Sequence, residues 1–300
     1  MRAKRYIAAL MCAVLAALLL CACGAEASTV QPADPYAGMV EVPSGYGTTM
    51  WVKEYDGVPQ STWNPELFAS GGKFLRYTGS DCALLRGIDV SEHQGVIDWA
   101  AVASDGVDFA MIRAGYRGYS EGGMFEDACF RANLDGAKAQ GIRVGVYFFS
   151  QAVTPSEAEE EADFLAALLD GYTLDLPAYY DWENIDGDDA RTDLLGGGEI
   201  TDCALAFCSR LGERGISAGV YAYRYLAYFQ YDLSRLTELA LWIGAVAEKP
   251  DFYYDYDLWQ YSVSGQIAGI EGNVDLDLML VPLAVSAPAA DADAENGAAQ

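Results

Sequence analysis

The 300-residue sequence contains one histidine, His93, and its seven cysteines form no cluster at metal-ligand spacing. That argues against a zinc enzyme and against a Ser-His-Asp hydrolase, and it predicts neither metal nor cofactor. If the chain is an enzyme, it works with carboxylates. Basic residues are also scarce, 18 Lys and Arg against 44 Asp and Glu, giving a formal charge of −26. So acidic a chain argues against nucleic acid and against electrostatic docking on anionic membranes. Long apolar runs are short in supply too. The one at 7–20 has signal-peptide length and falls short of a membrane span. Fifty-two per cent hydrophobic residues nevertheless suffice for a full core.

Arg2, Lys4 and Arg5 precede that run, which ends Leu20-Cys21-Ala22-Cys23-Gly24. An aliphatic residue, a small residue and a cysteine resemble a bacterial lipobox. The pattern predicts a lipoprotein signal peptide over 1–22, with Cys23 lipidated and anchoring the chain to the membrane at the cell surface. The alternative is ordinary cleavage after Ala27, behind Ala25-Glu26-Ala27, and secretion. Either way the location is extracytoplasmic. One lipid is a marginal anchor by itself. Cys82, Cys129, Cys203 and Cys208 remain in the mature chain. An even number permits disulfides without requiring them. Cys203 and Cys208, five apart in an expected helix, are poorly placed to pair with each other.

Residues 23–38 lack periodicity and read as a flexible tether, and 285–300 as a disordered tail. Short alternating pieces at 39–84 suggest a small β-rich annex. From 85 to 284, strand-like runs fall at 87–90, 109–113, 144–149, 178–181, 218–223, 239–244, 258–261 and 274–279. Helical segments separate the early ones, at about 125–139, 154–169 and 202–214. The clearest starts at Thr154-Pro-Ser-Glu157, a capping box with Pro at the first helical position, and stops at Gly171. Strand–helix alternation predicts an α/β fold with parallel βα units. Eight strands favour a (β/α) barrel, with irregular later strands because the last four follow too closely for full helices.

In such barrels the site lies at the C-terminal strand ends. Asp89 ends the first strand, Asp181 and Glu183 end the fourth, and Asp275 lies in the last. Asp181 and Glu183, in Ala178-Tyr-Tyr-Asp-Trp-Glu-Asn184, are two apart and would face the same side of a strand, with Cα atoms roughly 6–7 Å apart. Acid-catalysed glycoside cleavage uses carboxyl pairs on that scale. A solvated acidic strand end feeding Asp186, Asp188 and Asp189 is the alternative. Acids after strands also serve as helix caps, which is the better reading of Asp98 and Asp202.

Several ordered motifs resemble glycoside hydrolase family 25, the muramidases often called Chalaropsis-type lysozymes. They are Gly87-Ile-Asp-Val-Ser-Glu-His-Gln-Gly95 with Ile97-Asp-Trp99, Phe109-Ala-Met-Ile-Arg-Ala-Gly-Tyr116, and Gly145-Val-Tyr-Phe-Phe-Ser150. Tyr180-Asp-Trp-Glu183, Leu258-Trp-Gln-Tyr-Ser262 and Gly272-Asn-Val-Asp-Leu276 complete the set. The resemblance implies hydrolysis of the β-1,4 bond between N-acetylmuramic acid and N-acetylglucosamine in peptidoglycan; a monomer is expected. It implies Glu183 as general acid/base, Asp181 as its partner, and Asp89 and Asp275 as flanking acids. Tyr116, Tyr147, Trp259 and Tyr261 are the implied sugar contacts.

Two departures stand out. Tyr147-Phe-Phe149 replaces a Tyr-His-Phe common in the family, removing a polar sugar contact. Asp277 stands where an Asn often closes the last motif, adding charge near the mouth. Asp181 could act as nucleophile or steer the substrate's own 2-acetamido group, the variant favoured here. His93 reads as a structural hydrogen-bonder. A chitinase-like or endo-N-acetylglucosaminidase barrel would carry a further acid where Tyr179 stands. A non-catalytic wall-binding lipoprotein would gain little from two unneutralised acids.

Overall fold

The computed structural model describes residues 34–283. The predicted leader 1–22, the Cys23 lipidation site, nearly all of the tether and the tail 285–300 lie outside the described residues. Four short strands come first. β1 (Met39–Pro43) and β2 (Thr49–Lys53) form an antiparallel hairpin, and β3 (Phe68–Ala69) pairs with β4 (Arg76–Tyr77).

The apolar runs downstream become β5 (Cys82–Val90), β6 (Phe109–Arg117), β7 (Met124–Glu126), β8 (Arg143–Ser150), β9 (Ala178–Trp182), β10 (Ala218–Tyr223), β11 (Ala240–Gly244), β12 (Leu258–Gly265) and β13 (Val274–Pro282). β5 pairs with β6 on one side and β13 on the other, so eight strands close into a barrel in the order β5-β6-β8-β9-β10-β11-β12-β13. Of the ring strands, the seven from β5 to β12 run parallel, while β13 is antiparallel to both neighbours. β7 lies outside the ring as an antiparallel extension of β6.

Helices α1 (Trp99–Ser104), α2 (Phe130–Ala139), α3 (Pro155–Leu168), α4 (Gly197–Gly212) and α5 (Arg224–Phe229) occupy the early connections. Between β11 and β13 the described residues contain no helix. α3 forms where the capping signal stands: the Thr154 hydroxyl accepts the Glu157 N–H at 3.2 Å, and Gly171 ends the segment at φ +82°. Its Ala158, Ala162 and Leu165 recur at helical spacing and are fully buried. Asp98 caps α1, accepting from the N–H groups of Ala100 and Ala101.

Two helix starts differ from the sequence expectation. α2 begins at Phe130, because residues 124–126 pair with β6 and the Asp127 carboxylate takes the Cys129 N–H. α4 begins at Gly197, where Glu199 reaches back to the Gly196 N–H. Asp202 is thus no cap; it sits inside α4 and pairs with Arg235 at 2.8 Å. All four described cysteines are free thiols.

Each parallel strand is covered on both faces, so its two side-chain sets enter two cores. Outward residues such as Ile112, Tyr180 and Val220 meet the helices. Inward residues Phe109, Met111, Tyr179, Tyr221, Trp242 and Leu258 fill the barrel. Glycines make room for these large inward groups. A Cβ on Gly87 would lie 2.1 Å from the Phe109 ring, and one on Gly145 would lie 2.6 Å from Met111.

Candidate active site

Above that aromatic plug, at the C-terminal ends of the strands, opens a cleft of about 780 Å³. Asp89 from β5, Asp181 from β9, Glu183 just past β9 and Asp275 from β13 all line it. The register explains the convergence. Asp275 is the direct cross-strand partner of Asp89, and Asp181 is level with Phe149 on β8 and Tyr221 on β10. The period-2 rule then sends Tyr180 and Trp182 into the outer core and leaves the two acids on the cleft side.

Gln260 organises the first pair of acids. Its Nε2 donates to Asp89 Oδ2 at 2.8 Å and to Asp275 Oδ2 at 3.3 Å. Its Oε1 accepts the Tyr221 hydroxyl at 2.9 Å, which fixes the amide orientation. The second pair is steered differently. Gln151, fully buried, donates to the Glu183 carbonyl at 3.0 Å and accepts from Thr192 at 2.8 Å, so the backbone carrying Glu183 is held from behind. Asp181 is buried, and its Oδ1 makes no hydrogen bond within the protein. Arg113, gripped by Asp127 at 2.7 Å and Glu92 at 3.1 Å, brings a positive charge to the cleft, as does Arg117.

Removing carboxylates from water and setting them together disfavours ionisation. Burial pushes Glu183 up to about 7; Asp275 and Asp186 add to this, and the neighbouring Tyr221 hydroxyl opposes it. Burial also raises Asp275, to about 6. Asp181 lies well above the ordinary carboxylate range through burial, then the charges of Glu183 and Asp89, with Arg113 opposing. Asp89 is raised by burial and by Asp275, against the Gln260 hydrogen bond. The cleft therefore holds protons at pH values where exposed acids have lost them.

Of the four predicted aromatic contacts, Tyr116 and Tyr147 line the cleft. Tyr116 stacks on Phe125 at 5.4 Å, and Tyr147 meets Trp242 edge-on at 5.9 Å. Trp259 and Tyr261 do not line it. Gln260 takes the inward position on β12, so its two neighbours point outward and are buried. There Trp259 meets Trp63 and Phe68 of the preceding segment edge-on at about 6 Å and donates its indole N–H to the Ala245 carbonyl at 2.8 Å. A polar residue between two aromatics was the available signal.

Asp277 also corrects an expectation. It lies two residues below Asp275 on the inward face, fully buried, and accepts the Trp242 indole N–H at 2.9 Å. Burial and the adjoining Asp89 and Asp275 favour its protonated form, so it adds no charge at the mouth. His93 stands exposed at the rim, 3.5 Å from Arg113. The sequence reading missed Arg113, Gln151, Tyr221 and Gln260. Arg113 was visible as a charge in the middle of an apolar strand; Gln151 and Tyr221 carried no distinguishing local signal.

A sequence model for "Glycosyl hydrolases family 25" matches residues 88–270, more than half of the chain. The autolytic lysozyme of Clostridium acetobutylicum is 30% identical over 195 residues, 64% of this chain and 55% of that protein. Lysozyme M1 of Streptomyces globisporus is 28% identical over 207 residues, 65% of this chain and 68% of that protein. Among solved structures, a bacterial lysozyme from Streptomyces coelicolor superposes with a TM-score of 0.52 at 26% identity, over 64% of this chain and 90% of that one. This chain therefore spans only about half the length of the first of these relatives. With the family model running from the end of β5 through β12 and covering three of the four acids, the chain belongs to glycosyl hydrolase family 25.

Proposed function

We propose that the protein is an exported cell-wall lysozyme, an N-acetylmuramidase that hydrolyses the β-1,4 bond between N-acetylmuramic acid and N-acetylglucosamine in peptidoglycan. One observation carries this reading. Four acids meet in one cleft, and one of them, Glu183, has its protonated form favoured up to about pH 7. A carboxyl that keeps its proton at working pH can give it to the leaving glycosidic oxygen.

Glu183 is the general acid. As its proton moves to the leaving oxygen, the bond to the anomeric carbon breaks and charge develops there. The carbonyl oxygen of the substrate's 2-acetamido group closes on that carbon from the other side. Asp181 Oδ1, buried and free of protein partners, accepts the acetamido N–H and so turns the acetamido carbonyl toward the anomeric carbon. Glu183, now ionised, takes a proton from the water that opens the cyclic intermediate. Burial, and then Asp275, which Gln260 clamps beside Asp89, keep the Glu183 proton affinity high. Tyr116 and Tyr147 offer ring faces to sugars.

The same reading takes the fold as a (β/α) barrel over 85–284 behind a β-rich annex over 39–84. It takes 1–22 as a lipoprotein leader, Cys23 as the lipid anchor, and the protein as an extracytoplasmic monomer. The test is clearing of purified peptidoglycan, with borohydride reduction of the released ends. Reduced muramic acid ends from wild type, and their loss in Glu183→Gln, are expected. Reduced glucosamine ends would replace the muramidase with a glucosaminidase. Undiminished clearing by the variant would reject Glu183 as the acid.

A further inference from the structure

A second cavity of about 520 Å³ adjoins the carboxylate cleft, and Tyr223 and Val263 line both. Its far wall comes from the turn of the β1–β2 hairpin, with Tyr46 and Met50, which lies outside the stretch shared with the family. Tyr225 and Val246 complete its apolar rim. These are unusually open side chains. Tyr46 is 86% exposed, Tyr225 58% and Val263 48%. An exposed aromatic and aliphatic strip that continues a ligand cleft marks a binding surface.

The hairpin is built into place. Ser44 closes the turn through its N–H to the Thr48 carbonyl at 2.9 Å, its hydroxyl on Thr48 Oγ1 at 2.8 Å, and its Oγ under the Tyr46 N–H at 3.2 Å. Gly45 sits at φ +85°, with Arg224 against it. Arg224 follows β10 directly, is buried, and donates to the Pro43 carbonyl at 3.2 Å while pairing with Asp251. The strand that presents Tyr221 and Tyr223 to the cleft therefore also fixes the hairpin.

We infer that the β1–β2 hairpin adds a glycan subsite to this enzyme, holding a pyranose ring of the same strand beyond the carboxylate cleft, between Tyr46 and Tyr225. The inference rests on the glycan-cleaving reading and extends it. Charge selects the occupant. Among the described residues the only charged one in the wall, Arg224, is already committed to Asp251 and Pro43. A stem peptide with free carboxylates would meet no available cation there, whereas a neutral sugar ring needs only apolar faces and a few hydroxyl partners.

The experiment compares wild type, Tyr46→Ala and Tyr225→Ala on long glycan strands stripped of peptide, on intact peptidoglycan, and on a tetrasaccharide. Both variants should raise KM on stripped long strands by about threefold to tenfold, the worth of one aromatic contact. Their kcat, and their KM on the tetrasaccharide, should not change. Unchanged KM on stripped strands would overturn the subsite. A defect seen only with intact peptidoglycan would give the cavity to the peptide instead, and equal loss on the tetrasaccharide would mean damage to the cleft itself. Affinity electrophoresis in gels holding stripped strands reads the subsite without turnover. Wild type retarded more than both variants supports it, even if the muramidase reading fails. Equal mobility contradicts it.

Discussion

If Glu183 delivers the proton, the alkaline limb of kcat/KM reports its ionisation, and neighbouring side chains should move that limb in opposite directions. With the carboxyl at about 7, about nine in ten molecules hold the proton at pH 6. At the ordinary value of 4.5, only about one in thirty would. Burial and its surroundings thus increase the competent population about thirtyfold at that pH. Above pH 7, kcat/KM should fall about tenfold per pH unit. Asp275 raises the Glu183 proton affinity and the Tyr221 hydroxyl lowers it. Asp275→Asn should therefore move the limb to lower pH and Tyr221→Phe to higher pH. The assay is hydrolysis of soluble glycan from pH 4 to 9 at substrate far below KM. Limbs that coincide in all three proteins, or shifts of reversed sign, would refute the electrostatic argument.

Stability should carry the same signature. Glu183 binds its proton more tightly folded than unfolded, so its contribution is complete below about pH 4.5 and lost as pH rises through about 7. A shift of that size is worth up to about 3 kcal/mol, an upper bound because the side chain keeps some cleft water. Glu183→Gln should therefore melt above wild type at pH 8 and near it at pH 4.5; a variant less stable at pH 8 would contradict this. Trp259→Ala should cost about 3–5 kcal/mol in denaturant unfolding. It should leave KM unchanged at temperatures where it is folded; a raised KM alone would return Trp259 to the sugar site. Asp277→Asn keeps an acceptor for the Trp242 indole and should leave Tm within a few degrees, whereas Asp277→Leu strands that N–H at about 1–3 kcal/mol. Equal Tm values for the two would dissociate Asp277 from Trp242.

The barrel was legible because parallel strands buried on both faces read as apolar runs, and all eight appear where such runs stand. That continuity also hid the register. A strand apolar on both sides gives no alternation to say which residue faces in, so nothing local to β12 tells that Gln260 faces the cleft while Trp259 and Tyr261, the sugar contacts implied by the resemblance, face outward. The acids were easier, because Asp89, Asp181 and Glu183 end strands whose C-terminal edges share one rim. Gln151 acts through the Glu183 backbone from 32 residues away, a contact with no local pattern. The start of α4 was obscured by three consecutive glycines that read as loop, until Glu199 is seen capping them.

The most direct measurement is a carbon NMR titration of the Glu183 carboxyl, assigned by the signal missing from Glu183→Gln. A midpoint near 7 is what the buried, acid-flanked cleft demands. A midpoint near 4.5, the value of an open glutamate, would contradict the account of how this cleft does its chemistry.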